Sequence, residues 1–416
     1  MNIFDSIFNV VNEILIFLNK KEFLIILMLS IISYHIILFL IRDLKYLKSV
    51  KTNPDPDSIN IDDLKEIPLI NIIIPAWNEG DEFEKCLFSV TSLAYPKIKV
   101  IVNAGGNEKT IKIADSFKKY NHFVILRQKE VKSKIGKITN LGKLKAINKS
   151  LKHVTEGVVF FLDADSYITD EIVLRLLFPI VNYNEKVCVG AGTRPLISLE
   201  NNDLVRYLQI VKEGFFRKIF TRDNKNLIGG SNTCISYEVI KSIGRFTEEG
   251  IIAEDISAGR DIISKGYKIY SLTSYQSRIY TDFPKSIREL IEQRKRYIQN
   301  SYIYAKIKKS KIKSIKLIAL TLVSIYFIIS PLFLFVNYGL FFIGVFIILF
   351  FYLRIIRRYI FFKLIIDKQY YKKFHKLLFI KIFYYIVIEL IINVITCFSL
   401  ITIRKNLKEY LKTNNE

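Results

Sequence analysis

The chain has 416 residues, 50% of them hydrophobic, and carries a formal net charge of +23. Its mean hydropathy of +0.24 is unusual for a soluble enzyme, and the apolar residues concentrate at 23–41 and 315–403. The four cysteines form no CxxC pair, which argues against a disulfide framework or a zinc site, so we expect reduced, buried thiols. No nucleic-acid recognition motif accompanies the basic residues. We therefore expect no nucleic-acid partner and assign part of the charge to the cytoplasmic flanks of membrane helices, where anionic lipid attracts it.

The first long apolar segment, Phe23–Ile41, lacks charged residues and approaches the roughly 20 residues that cross a hydrocarbon core. It has no small-residue cleavage signal, so we interpret it as a membrane anchor. Lysine and arginine follow directly from Arg42 to Lys51, which indicates that its C-terminal end is cytoplasmic. Residues 3–18 are interrupted by two acidic residues and predict an interfacial amphipathic helix.

Three further apolar segments follow the central region: Ile315–Val336, Tyr338–Leu353 and Leu378–Ile403. One span before that region and three after it would put the C-terminus outside, whereas the basic residues of the tail favour the inside. The number of spans therefore stays open. We expect a multi-pass protein of the cell membrane with a cytoplasmic catalytic domain. The expected division is 1–52 interfacial helix and anchor, 53–282 catalytic domain, 283–312 amphipathic interfacial helix, 313–403 transmembrane helices and 404–416 basic tail.

Residues 68–282 alternate short apolar runs with helical patterns, which predicts βαβ units and a mostly parallel sheet. Ligands of such sheets bind at the carboxyl ends of the strands, so the polar residues that end each run indicate the site. These residues are Asn78 and Glu79 after the first strand, Asn103 after the second and Asp163 after the fourth. The predicted elements are strands Pro68–Pro75, Ile98–Val102, Phe123–Arg127 and Val158–Asp163, and helices Asp81–Ser92, Thr110–Lys119 and Gly142–Leu151.

The sequence Asp163-Ala164-Asp165 follows an entirely apolar strand. These two carboxylates are separated by one residue. They can serve one site together where the chain leaves the extended conformation and turns. One faces a ribose, and the other binds Mg²⁺ or Mn²⁺ through the oxygen ligands that these cations prefer. The alternative is a solvated turn that caps the next helix.

A second acidic pair, Glu254-Asp255, precedes a predicted helix at Ile256–Lys265. Asp255 is a candidate general base that deprotonates an attacking hydroxyl. The alternative is that Asp255 is an ordinary acidic N-cap of that helix. The motif alone supports the two roles about equally.

A third motif, Gln293-Arg294-Lys295-Arg296-Tyr297, lies on a helix predicted to start near Pro284. Gln293, Arg296 and Tyr297 share one face, while Ile287, Ile291 and Ile298 are expected to pack on the opposite side. Arginine suits a diphosphate and tyrosine a sugar ring. The alternative, a basic juxtamembrane helix on lipid phosphates, explains Arg294 and Lys295 but not the glutamine and tyrosine.

These motifs, in this order, resemble family 2 glycosyltransferases, and in particular the membrane branch of hyaluronan, chitin, cellulose and chitooligosaccharide synthases. The resemblance covers residues 70 to about 300 and implies a GT-A fold and inverting sugar transfer. It implies that Asp163 binds the nucleotide, that Asp165 binds the metal and that Asp255 is the general base. Further residues implied to bind the nucleotide-sugar are Pro75, Asn78, Glu79, Asn103, Lys143, Gln293 and Arg296. Residues implied at the acceptor are Glu254, Tyr297, Gly230 and Ser231.

Three positions depart from the family pattern. Asn103 stands where an aspartate is usual, Ala253 replaces a threonine and Tyr297 replaces a tryptophan. The narrower aromatic ring favours single-sugar or short-oligosaccharide transfer over a processive polymerase. The expected partners are a nucleotide-sugar, with UDP carried over from the family, a lipid-linked or polysaccharide acceptor, and membrane lipid.

Two other functions compete with sugar transfer. A nucleotidyltransferase uses a similar sheet, and Gly190–Pro195 superficially resembles its glycine-rich loop, although that loop follows the first strand. The second alternative is a non-catalytic membrane scaffold that binds nucleotide or lipid phosphate. Under this alternative, the occurrence of all three motifs in one chain would be a coincidence.

Overall fold

The computed structural model describes residues 58–130, 141–183, 188–196, 202–219, 230–248, 254–272 and 274–307, and scattered positions within 9–48 and 345–395. Its strands are β1 Ile70–Trp77, β2 Ile98–Gly105, β3 Phe123–Arg127, β4 Val158–Phe161, β5 Ser166–Tyr167, β6 Cys188–Gly190, β7 Thr193–Pro195, β8 Thr233–Ser236, β9 Ile269–Ser271 and β10 Ile279–Thr281. Its helices are α1 Asp81–Thr91, α2 Glu108–Ser116, α3 Leu141–Leu151, α4 Asp170–Asn182, α5 Asp203–Ile219, α6 Tyr237–Ile243, α7 Glu254–Ser264 and α8 Ile287–Ile307, with 3-10 turns at Ile61–Asp63 and Phe117–Lys119.

Two sheets organise the described residues. The larger one has the strand order β3-β2-β1-β4-β8-β6-β9. Its first four strands are parallel, β8 is antiparallel to both β4 and β6, and β6 and β9 are parallel. The smaller sheet, β5-β10-β7, begins directly after the Asp163–Asp165 motif. The predicted mostly parallel α/β architecture is confirmed.

The larger sheet is buried on both faces because its central strands are continuously apolar. Alternate residues of β1 point to opposite sides: Ile72 and Ile74 pack with Phe83 of α1, whereas Ile73 packs with Leu144 of α3. Helices therefore cover both faces and leave the strand ends for the site. Three of the four cysteines, Cys86, Cys188 and Cys234, are buried free thiols, as expected.

A third apolar cluster joins α5 to α8 and to the C-terminal part of the chain. Tyr207 of α5 packs with Leu290 of α8 and with Tyr385 and Ile388. Among the described residues, no helix is both long and apolar enough to cross a membrane. The predicted segment Ile315–Val336 and the basic tail lie outside the described residues, and the other predicted spans are described only in part.

The second strand extends beyond its apolar run. It was predicted to end at Val102, but β2 continues to Gly105 because its ladder with β1 holds until the pair Trp77 and Gly105. An apolar pattern does not reveal this continuation, since Asn103 interrupts the pattern without interrupting the hydrogen bonds. As a result, Asn103 lies inside the strand rather than after it.

Candidate active site

The Asp163–Asp165 motif forms a tight turn at the carboxyl end of β4. The N–H of Ser166 donates to the carbonyl oxygen of Asp163 at 3.0 Å, and both aspartate side chains are partly buried. The turn does not cap the following helix, because Thr169 is the N-cap of α4 and accepts from the N–H of Ile172. The alternative of a capping turn is therefore wrong.

Lys143 joins two of the predicted motifs. It lies in the first turn of α3, and its Nζ is 2.5 Å from Asp163 Oδ1 and 2.5 Å from Glu254 Oε1. Burial alone would lower the pKa of Lys143, but the carboxylates of Asp163 and Glu254 outweigh burial and raise it above its usual value. The ammonium therefore stays charged and holds together acidic residues that are 91 positions apart in the sequence.

Two carboxylates beside this ion pair carry raised pKa values. Burial, followed by repulsion from Asp165, raises the pKa of Glu79 to about 7. Burial and the negative charge of Asp163 raise the pKa of Asp165 to about 6. The carboxyl ends of β1 and β4 thus concentrate more negative charge than Lys143 neutralises.

This excess of carboxylate oxygens suits a hard divalent cation, which prefers oxygen ligands. Among the described residues, however, no group of three or more histidine, cysteine, aspartate or glutamate side chains has a metal-holding arrangement. Magnesium is commonly held by one or two carboxylates together with substrate phosphates. The residues present fit a cation of that kind, with Asp165 as its protein ligand.

The turns after β1 and β2 interlock. Asn78 has a positive φ of 59°, and its N–H donates to the carbonyl oxygen of Gly105 at 3.2 Å. Gly106 has a φ of 88°, and a Cβ there would lie 2.3 Å from Asn78 Oδ1. This requirement was not predicted, although the adjacent pair of glycines was its visible signal in the sequence.

Thr110 fixes the position of Glu79. Its hydroxyl accepts from the N–H of Glu79 at 2.7 Å and lies 2.9 Å from the Glu79 carbonyl oxygen. Thr110 is buried in the first turn of α2, where Asn107 is the N-cap. The backbone around Glu79 is therefore held by a helix start that the sequence analysis placed two residues too late.

Asn103 does not line the cleft. It is fully buried within β2, and its Nδ2 donates to the carbonyl oxygen of Ala146 in α3 at 3.0 Å. Direct contact with a nucleoside is not supported by this placement; instead, Asn103 anchors the helix that carries Lys143. Pro75 is its partner across the ladder and also lies within the strand, in β1.

The second acidic pair lies in the first turn of α7. The helix begins at Glu254, so Asp255 is its second residue and not its N-cap. A Cβ at Gly230 would lie 3.3 Å from Asp255 Cβ and 3.3 Å from Glu254 Oε1. Gly230 therefore lies against the acidic pair, and Ser231, the next residue, is buried. That these residues bind an acceptor stays a prediction.

Asn232 fixes this loop against the smaller sheet. Its Nδ2 donates to the carbonyl oxygens of Gly192 and Ser277, at 3.0 and 2.8 Å. Gly192 belongs to the stretch Gly190–Pro195, which contains the last residue of β6, the two linking residues and β7. That stretch is a structural part of both sheets and not a phosphate loop after the first strand.

The third motif lies on α8 as predicted, but the helix packs by a different side. Ser286 and Glu289 cap its start, since Ser286 Oγ accepts from the Glu289 N–H at 3.3 Å, and α8 therefore begins later than Pro284. Leu290 is 0% exposed, whereas Ile287 and Ile291 are 37% and 38% exposed. The predicted packing through Ile287 and Ile291 is wrong, because Leu290 anchors the helix in the α5 cluster.

The functional residues of α8 are distributed along its middle. Gln293 is partly buried, three positions after Leu290 and on the same side, and Tyr297 is exposed. The side chain of Arg296 lies outside the described residues. The structure thus brings Lys143, Glu79, Asp163, Asp165, Glu254, Asp255 and Gly230 to one cleft and leaves Asn103 outside it.

Two curated relatives and two solved structures are similar to this chain. The poly-beta-1,6-N-acetyl-D-glucosamine synthase of Staphylococcus aureus (strain MSSA476) is 25% identical over 271 residues, which cover 63% of this chain and 59% of that protein. The synthase of the same name from Staphylococcus epidermidis is 25% identical over 246 residues, covering 57% and 56%. The chain thus spans less than two thirds of the length of these relatives.

Among solved structures, a mannosyltransferase from Pyrobaculum calidifontis, in complex with GDP-Man and Mn²⁺, has a TM-score of 0.49 and 18% identity, covering 69% of this chain and 76% of that one. TarS from S. aureus has a TM-score of 0.38 and 17% identity, covering 57% and 42%.

A family model described as "Glycosyltransferase like family 2" matches residues 68–300, which is more than half of the chain. The matched range begins just before β1 and ends within α8, so it contains the sheet, the three motifs and the cleft between them. The chain therefore belongs to glycosyltransferase family 2, has a GT-A fold and is a glycosyltransferase.

Proposed function

We propose that this glycosyltransferase moves a sugar, with inversion, from a nucleotide-sugar to a lipid-linked or growing glycan at the membrane. The observation that carries the proposal is the double contact of Lys143, which places the turn of Asp163 beside the helix start of Glu254. A donor-binding motif and a candidate base are thereby held in one cleft.

The donor side of the proposal uses the carboxyl ends of β1 and β4. Asn78, Glu79 and Asp163 surround the nucleoside and ribose, since they lie where open α/β sheets bind their ligands. UDP is the nucleotide to test first, because the resemblance implies it. N-acetylglucosamine is the first sugar to test, because the curated relatives are named as synthases of a polymer of that sugar.

A divalent cation, Mg²⁺ or Mn²⁺, completes the donor site in this proposal. Asp165 and oxygen atoms of the diphosphate would hold the cation. The positive charge of the cation would stabilise the leaving nucleoside diphosphate. Asp163 is already paired with Lys143, which leaves Asp165 as the carboxylate of the motif that is open to a cation.

The chemical step needs a base and a leaving group. Asp255 accepts the proton of an acceptor hydroxyl as its oxygen forms a bond to C1 of the donor sugar. The bond between C1 and the phosphate oxygen breaks, and its electron pair leaves with the nucleoside diphosphate. Gln293 and Arg296 of α8 lie beside the diphosphate in this arrangement, and Tyr297 lies beside the acceptor sugar.

The base assignment predicts the behaviour of Asp255→Asn. Transfer should fall by about 10²- to 10⁴-fold, because the amide accepts no proton, while the affinity for the donor stays unchanged. Sugar transfer and UDP binding would be measured on the full chain in detergent. Asp62→Asn, which changes an exposed aspartate in the first 3-10 turn, is the control and should match wild type. Full activity in Asp255→Asn would remove the base assignment.

The membrane part of the proposal rests on the sequence and on α8. Ile287 and Ile291 leave an apolar strip exposed on a helix that also carries basic residues, which is typical of a helix at a membrane surface. The expressed chain should remain with membranes after an alkaline carbonate wash. Recovery in the supernatant after that wash would contradict an integral membrane protein.

A further inference from the structure

Lys212 occupies an unusual position for a lysine. It lies on the packed side of α5, one and two turns after Leu208 and Val205, and it is only partly exposed. Its Nζ is 3.0 Å from Thr193 Oγ1 and lies 3.7 Å from the centre of the Phe283 ring. Among the described residues, no carboxylate lies within ion-pair distance of it.

A second cation lies near Lys212. Arg294 of α8 acts on Lys212 as a neighbouring positive charge, and its Nε is buried without a hydrogen-bond partner among the described residues. No carboxylate in that part of the chain forms an ion pair with Arg294 either. Positive charges that repel one another and form no ion pair are unfavourable in a partly buried site, and an anion would relieve that cost.

The smaller sheet places these cations beside the donor cleft. β5 follows Asp165 directly, β10 pairs with β5, and β7, which carries Thr193, pairs with β10. Phe283 follows β10 by two residues. The negative charge of Asp165 also acts on the pKa of Lys212, which agrees with a position near the donor cleft.

The pKa of Lys212 reflects its burial and the positive charge near it. Burial, followed by the positive charge of Arg294, lowers the pKa of Lys212 to about 7, while Asp165 opposes this change. A phosphate group in the site would favour the charged ammonium. Lys143 cannot take this role, because its ammonium is already paired with Asp163 and Glu254.

We propose that Lys212 and Arg294 form an anion subsite that binds the diphosphate of the donor and of the departing nucleoside diphosphate. The inference rests on the proposed function, which supplies the diphosphate. It adds two protein cations, from α5 and α8, to the proposed donor site. A purely structural Lys212 would instead buttress Thr193 and Phe283 and would bind no ligand.

The test uses inorganic pyrophosphate, UDP, GDP and uridine with Mn²⁺, by calorimetry on the full chain in detergent. In Lys212→Met, which keeps the hydrocarbon stem, affinity for pyrophosphate and UDP should fall about ten- to a hundredfold, and uridine binding should not change. Lys212→Arg should restore most of the loss. Lys241→Met, at an exposed lysine of α6, is the matched control and should bind like wild type.

The outcomes separate the subsite from the proposed function. Unchanged pyrophosphate affinity in a folded Lys212→Met would overturn the subsite, whatever the affinity for UDP. A wild type that binds pyrophosphate through Lys212 but neither UDP nor GDP would keep the subsite and overturn the nucleotide-sugar function. A wild type that binds none of these anions would overturn both.

Discussion

Lys143 shows how one side chain organises the cleft. Its ammonium is partly buried between Asp163 and Glu254, and each of these acids comes from a different motif. A charge-assisted hydrogen bond is stronger than a neutral one, and a buried carboxylate that loses its partner is costly. Lys143 is therefore expected to position both acids and not only to attract a nucleotide.

Replacing Lys143 with methionine keeps most of the side-chain volume and removes the charge. We expect Lys143→Met to lower the free energy of unfolding by about 1–3 kcal/mol, since Asp163 and Glu254 lose their donor, and to abolish most sugar transfer. Thermal unfolding and transfer assays in detergent measure both effects. Lys145→Met, at an exposed lysine two residues further along α3, should match wild type in both assays. Wild-type activity and stability in Lys143→Met would contradict the positioning role.

At single residues the sequence predicted which side chains lie close together better than it predicted their burial. The Asp163 turn and the proximity of Glu254 and Gly230 agree with what the motifs implied. Asn103 does not, because a polar residue after an apolar run belongs equally well to the ladder or to the loop. Lys212 was missed, although its spacing from Val205 and Leu208 placed a lysine on an apolar helix face.

At the level of elements, α5 connects the cleft to the C-terminal part of the chain. The ring of Tyr207 stacks on Tyr385 at 5.0 Å, and its hydroxyl donates to Glu389. Near the start of α5, Lys381 Nζ is 2.6 Å from Asp203 Oδ1. Lys212 lies on the same helix, so the contacts of Tyr207 help to fix the position of the backbone that carries it.

Tyr207→Phe tests whether this contact holds α5 in place. The ring stacking stays, but Glu389 loses a buried donor, and we expect stability to fall by about 1–3 kcal/mol. The thermal-unfolding midpoint in detergent should drop, and nucleotide affinity should weaken less than in Lys212→Met. The comparison is Tyr183→Phe, which changes an exposed tyrosine after α4. Equal midpoints for the two variants would show that the Glu389 contact does not hold α5.

Long elements were predictable from the sequence, and short ones were not. The strand Phe123–Arg127 was predicted to the residue, and the first three helices to within three residues at each end. Strands of two to four residues, such as β5, β7 and β10, contain too few side chains to show a period of two. The smaller sheet, and with it the Lys212 subsite, therefore required the structure.

At the scale of the whole molecule, the two ends of the chain meet. Arg357 Nε and Nη2 donate to Asp43 at 3.0 and 2.8 Å, and the guanidinium lies 3.6 Å from the centre of the Phe39 ring. The sequence predicted membrane segments in both of these regions, and that they cross a membrane stays a prediction. The number of spans and the side of the C-terminus stay predictions, because most of these segments lie outside the described residues.

The most direct measurement is nucleotide release and sugar transfer from a panel of UDP-sugars, including UDP-N-acetylglucosamine, by the full chain in detergent. Wild type and Asp165→Ala would be compared, each with Mn²⁺ and with EDTA. We expect one sugar to support release in wild type with Mn²⁺, and both EDTA and Asp165→Ala to abolish it. Release that persists in EDTA and in Asp165→Ala would contradict the metal site. A wild type that releases no nucleotide and binds neither UDP nor GDP would contradict nucleotide-sugar transfer itself.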